Sequence, residues 1–67
     1  MKRKKLKYLR KQKGLTQKEV AENIGISRPM YTNIENGNRN PSLGIMKKIV
    51  KLLGEEAKDI FFDSEVA

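Results

Sequence analysis

The stretch Thr16–Gly37, TQKEVAENIGISRPMYTNIENG, decides the fold. It holds two short apolar patterns separated by one glycine. Thr16-Gln-Lys-Glu19 is a capping box: the threonine hydroxyl can accept from the backbone N–H three residues on, and Glu19 can reach back. Leu15 before the cap and Val20 at the fourth helical position have the placement of a hydrophobic staple. Val20, Ala21 and Ile24 make one buried face, and Gly25 ends the helix after barely two turns. Ile26-Ser27-Arg28-Pro29 starts a second helix, where the missing proline N–H costs nothing because first-turn N–H groups have no intrahelical partner. A residue before proline avoids the α region, so the N-cap falls on either Ser27 or Arg28. Tyr31 and Ile34 point inward, and Asn36-Gly37 closes the helix.

Two such helices joined by a short turn containing glycine form a helix-turn-helix. Working outward from it, Lys2–Lys13 reads as an amphipathic helix with Leu6 and Leu9 on a narrow apolar stripe, stopped at Gly14 as a C-cap. Asn38–Pro41 is a loop, and Ser42 is the N-cap of a helix running to Leu53. The apolar set of that helix is Ile45, Met46, Ile49, Val50, Leu52 and Leu53. Gly44 in its first turn implies either close backbone approach or plain tolerance. A last turn, Glu56–Phe61, carries Ile60 and Phe61 inward. The expected architecture is all-α, a compact bundle of four to five short helices in a single domain over residues 1–67, with the helix-turn-helix core at 16–36.

The chain has 67 residues and a formal net charge of +7. A core this small needs a compact helical fold, a staple or a partner. Cysteine and histidine are both absent. That excludes disulfides and thiolate metal sites, and it removes the commonest general base and the commonest neutral metal ligand. No metal, cofactor or enzymatic activity is expected; an enzyme would need carboxylates in a cleft, and the acids here are scattered or C-terminal. No apolar run is long enough to span a membrane, and the basic start lacks the pattern of a signal peptide, so the location expected is cytoplasmic. The charge is laid out unevenly. Residues 1–18 hold nine Lys/Arg and no acid, whereas residues 52–67 hold one Lys and five acids. The first end suits a polyanion and the second does not. Lys2–Lys7 read as a diffuse electrostatic contributor, and Lys47 and Lys48 as a solvated face.

With Tyr31 and Ile34 inward, the outer face of the second helix of the motif consists of Arg28, Pro29, Thr32, Asn33 and Asn36. A solvated face would prefer Lys and Glu. Arginine can bond guanine bidentately in the major groove, asparagine can do so for adenine, and threonine can touch a thymine methyl. Met30 beside them reads as partial packing.

The run GLTQ…A…IG…SR…IENG…NPSL resembles the phage repressor/Cro-like (Xre-type) helix-turn-helix DNA-binding family, over about residues 4–62. The resemblance implies a lambda-repressor-like fold and a sequence-specific transcriptional regulator, a repressor in the first instance. It implies that Gln17 clamps a DNA phosphate and braces the recognition helix, and that Arg28, Pro29, Thr32 and Asn33 face base edges. It places Ser27, Asn36, Asn38, Arg39 and Asn40 toward phosphates. Arg10 and Glu35 match a family pair that forms a partly buried ion pair, so Arg10 is not counted as a DNA contact. Tyr31 stands where the family has Ile or Val, and its hydroxyl is expected to reach solvent, a partner or the DNA backbone. Glu55 and Glu56 replace a less charged pair of many relatives.

The expected partners are double-stranded DNA and a second copy of the chain, the homodimer binding an inverted repeat with half-sites one helical turn, roughly 34 Å, apart. Residues 52–67 are the expected dimerisation segment, through Leu52, Ile60, Phe61 and Phe62, which exceed what the core needs. The competing class is a protein-interaction module whose partner is another polypeptide, met by the acidic, Phe-bearing C-terminal segment.

Overall fold

The computed structural model describes residues 2–62, the side chain of Phe62 excepted. It is all-helical: α1 Lys4–Gln12, α2 Gln17–Ile24, α3 Arg28–Glu35, α4 Leu43–Leu53 and α5 Glu56–Phe62. Local chemistry accounts for most of the boundaries. Both bonds of the Thr16 capping box form, with Thr16 N donating to Glu19 Oε1 at 2.8 Å and Glu19 N donating to Thr16 Oγ1 at 3.1 Å. Ser42 Oγ accepts from Ile45 N at 3.3 Å, as expected of an N-cap. Gly25 ends α2 at φ 76°, a left-handed conformation that bends the chain toward α3 without a Cβ clash. The N-cap of α3 is Ser27, whose Oγ accepts from Met30 N at 3.2 Å. Arg28 and Pro29 are therefore the first two helical residues, and the arginine side chain is left out of the cap.

The core consists of Leu6 and Leu9 from α1, Val20, Ala21 and Ile24 from α2, Tyr31 and Ile34 from α3, Ile49 and Leu53 from α4, and Ala57 and Phe61 from α5. The one-turn spacing of Ile49 and Leu53 makes a single stripe, which Ile45 continues half-buried at its N-terminal end, while Met46, Val50 and Leu52 flank it half-buried. Met30 also packs partly against the core. Gly44 is exposed, and a Cβ built on it would meet nothing within 4 Å, so plain tolerance is the correct alternative there. Lys47 and Lys48 are exposed.

Two sequence expectations are corrected. The Tyr31 hydroxyl does not reach solvent: the residue is 0% exposed, and its oxygen completes no well-formed hydrogen bond among the described residues. A ring longer than the usual aliphatic side chain runs through the core and ends against the Arg10–Glu35 pair, where burial first and the Glu35 carboxylate second raise the phenol pKa far above its ordinary value. The N-terminal basic cluster is also not uniformly diffuse. Arg3 N donates to Glu35 O at 2.8 Å, and its guanidinium bonds the carbonyls of Ile34 and Arg39 and the side chain of Asn40.

Candidate nucleic-acid interface

The exposed side of α3 is set by what its other side must bury. Tyr31, Ile34 and Glu35 face inward, and the helical period then leaves Arg28, Pro29 and Asn33 exposed and Thr32 and Asn36 half-buried on the outer face. Beyond α3 the chain folds back on it: the N–H groups of Asn38 and Arg39 both donate to Asn33 O, at 2.9 and 3.2 Å. This holds the exposed loop Asn38–Asn40 at the end of the outer face.

A polar relay fixes α2 to α3. Thr32 Oγ1 donates to Gln17 Oε1 at 3.0 Å, and Gln17 Nε2 donates to Glu35 Oε1 at 3.1 Å. Glu35 in turn accepts from Arg10 Nε at 2.8 Å and from Nη2 at 3.2 Å, and Arg10 Nη1 donates to Leu15 O at 2.8 Å. Burial of Glu35 opposes its ionisation, but its hydrogen bonds, led by that from Arg10, outweigh this and hold the carboxyl below its ordinary pKa. The same bond raises the Arg10 pKa. Both groups are thus charged, and the relay runs from this buried pair to the surface of α3.

Around Gln17 the surface is basic. A cleft of about 740 Å³ is lined by Lys7, Arg10, Lys11, Gln17, Lys18 and Arg28, among others. A second, of about 380 Å³, joins Lys2, Arg3, Lys4 and Lys7 to Gln17, Glu35 and Asn36. Cations converging on an amide donor beside a polar helix face suit a chain of phosphates. Among the described residues no cluster of His, Cys, Asp or Glu has the make-up of a metal site, and no helix is long and apolar enough to cross a membrane.

The family model described as Helix-turn-helix matches residues 6–60. The chain belongs to the helix-turn-helix family of transcriptional regulators. This regulator is 51% identical over 63 residues to the HTH-type transcriptional regulator YqaF of Bacillus subtilis, covering 94% of this chain and 82% of the relative. It is 45% identical to the control protein C.MunI of a Mycoplasma species, covering 91% of this chain and 84% of the relative. It is 34% identical to the cryptic phage CTXphi transcriptional repressor RstR of Vibrio cholerae, covering 91% of this chain and 55% of the relative. No solved structure matches it. The fold and the DNA-binding class inferred from the helix-turn-helix run thus stand.

In this regulator the four residues expected to face bases share one side of α3, and Gln17 lies beside them through Thr32. Asn40 and the Arg39 carbonyl are engaged by Arg3. Ser27 is occupied as a cap. Phe61 is 7% exposed and contributes to the core, Leu52 and Ile60 are half-buried, and the Phe62 side chain lies outside the described residues. Among the described residues the exposed large apolar side chains are Tyr8 and Leu43, which the apolar periodicity does not single out. Lys7, Lys11 and Lys18 were also missed as neighbours of Gln17; the one-turn spacing of Lys7 and Lys11 was the available signal.

Proposed function

We propose that this regulator is a repressor that binds an inverted-repeat operator as a homodimer in the cytoplasm, with α3 in the major groove. The observation that carries the reading is the outer face of α3, where Arg28, Pro29, Thr32 and Asn33 stand clear of the core on a helix braced by the relay from Arg10 to Thr32. The basic N-terminal part draws the protein to DNA by counterion release. Gln17, Ser27, Asn36, Asn38, Arg39 and Asn40 meet phosphates and set the register, and the four α3 residues read base edges. Thr32 offers its methyl to a thymine while its hydroxyl holds Gln17. Dimerisation uses the C-terminal part, Leu52 and Ile60 with the last helical turn. An apolar groove lined by Leu43, Met46 and Val50 adds unpaired surface on α4. Repression as the outcome is supported by the similarity to RstR, a phage transcriptional repressor that matches 91% of this chain.

Selection of preferred sites from random duplex DNA tests binding, palindromy and spacing together. Enrichment of an inverted repeat with half-site centres roughly 34 Å apart is the expected result. If no sequence is enriched above the non-specific level, the reading fails.

A further inference from the structure

Arg3 precedes α1, yet its contacts lie at the far end of α3 and in α5. Its backbone N–H donates to Glu35 O at 2.8 Å. Nη1 donates to Ile34 O and, at 3.2 Å, to Arg39 O, while Nη2 donates to Asn40 Oδ1 at 2.7 Å. Its Cζ lies 5.4 Å from the centroid of the Phe61 ring. The last carbonyls of a helix lack intrahelical partners and carry the negative end of its dipole. The last turn of α3 has no basic residue of its own, and Arg3 supplies the missing cation from the other end of the domain. Lys2, Lys4 and Lys5 around it are exposed, whereas Arg3 is half-buried.

We propose that Arg3 is a positioning residue for DNA binding: it holds the Asn36–Asn40 loop on the end of α3 and makes no phosphate contact itself. This rests on the reading of that loop as phosphate-facing. Three of the five N–H donors of a guanidinium are already used inside the protein, and its Cζ lies over the Phe61 ring at cation–π distance. The bond to Asn40 has a direct consequence. With Oδ1 held by Arg3, the free end of that amide is its NH2 group, which is the end able to donate to a phosphate oxygen. Arg3 therefore orients the loop ligand as well as anchoring the loop. Lysine retains the charge but lacks the planar fork that spans two carbonyls and an amide.

The test uses the full chain and a short mixed-sequence duplex, with affinity measured by fluorescence anisotropy across a salt series. The slope of log affinity against log salt counts neutralised phosphates. Arg3→Lys and Arg3→Ala should each weaken binding by about tenfold with the slope unchanged. Amide hydrogen exchange should quicken at Asn38 and Arg39 while Val20 and Ile24 keep their protection. Arg3→Lys carries the test if Arg3→Ala does not fold. The proposal is overturned if Arg3→Lys binds like the parent and Arg3→Ala lowers the slope by about one unit, since Arg3 is then a phosphate contact. It is overturned equally if exchange quickens at Val20 and Ile24 as much as in the loop, since the role is then global stability. A parent protein that binds no duplex sinks the DNA reading and this proposal together; a parent that binds while Arg3→Lys matches it sinks this proposal alone.

Discussion

Arg10 and Glu35, twenty-five positions apart, meet inside the protein with Nε 2.8 Å from Oε2 and side chains only 8% and 4% exposed. A buried pair of this kind adds little stability over an apolar replacement, but an unpaired survivor is costly. Glu35→Ala should therefore destabilise by about 3–5 kcal/mol, much of the whole stability of a domain this size. Urea denaturation followed by circular dichroism checks it. The double variant Arg10→Met, Glu35→Leu should recover most of the loss; a double variant no better than Glu35→Ala would show that the stranded charge is not the cause.

The same pair gives the protein an acid limit. The Glu35 pKa is lowered on folding, so its contribution is present above the unfolded value of about 4.3 and is lost as pH falls through the lower folded value. Thermal midpoints should fall below about pH 4 for the parent. Glu35→Gln should show a shallower fall over that range, and a parallel fall would remove Glu35 as the source.

Tyr31 buries a hydroxyl that completes no hydrogen bond among the described residues. Leaving such a group unsatisfied costs about 1–3 kcal/mol, so Tyr31→Phe should be neutral or stabilising by about 1 kcal/mol. A loss above that size in denaturant melts would mean that the oxygen has a partner in solution.

Gly44 occupies the first turn of α4 with open space where a Cβ would go. Gly44→Ala should raise stability by about 0.5–1 kcal/mol through helix propensity and a less flexible unfolded chain. Thr16→Ala, which removes one half of the capping box, should lower it by about 1 kcal/mol. Calorimetry of the two variants beside the parent reads both signs.

On DNA the α3 face and its brace should separate. Arg28→Ala and Asn33→Ala should each cost about 1–3 kcal/mol on the selected site and relax base choice, while Gln17→Ala and Arg39→Ala should weaken all sequences alike. Thr32→Val and Gln17→Ala should be non-additive, since the two side chains share one hydrogen bond. Equal loss on every sequence for Arg28→Ala would show that it does not read bases.

Residues a few positions apart were enough to read the helix starts, the turn at Gly25 and the inward set of α2 and α3. Caps and turns are closed by bonds spanning three or four residues, so their chemistry is written in adjacent letters. Even there Ser27 and Arg28 stayed ambiguous, because proline restricts the residue before it without saying which hydroxyl or backbone group is caught. The family run supplied the Arg10–Glu35 pairing, which spacing alone does not contain. The fate of the Tyr31 hydroxyl, the burial of Ala57, the Thr32–Gln17 bond and the whole role of Arg3 depend on groups 15 to 37 positions apart in the hydrogen bonds that define them, or on which side of a short helix faces the core. Those follow only when five helices share one small interior, where each side chain takes the direction that its neighbours leave open. In Lys2–Lys7 every basic residue looks alike in sequence; docking of α1 beside the end of α3 is what turns one of them inward and leaves the rest to the solvent.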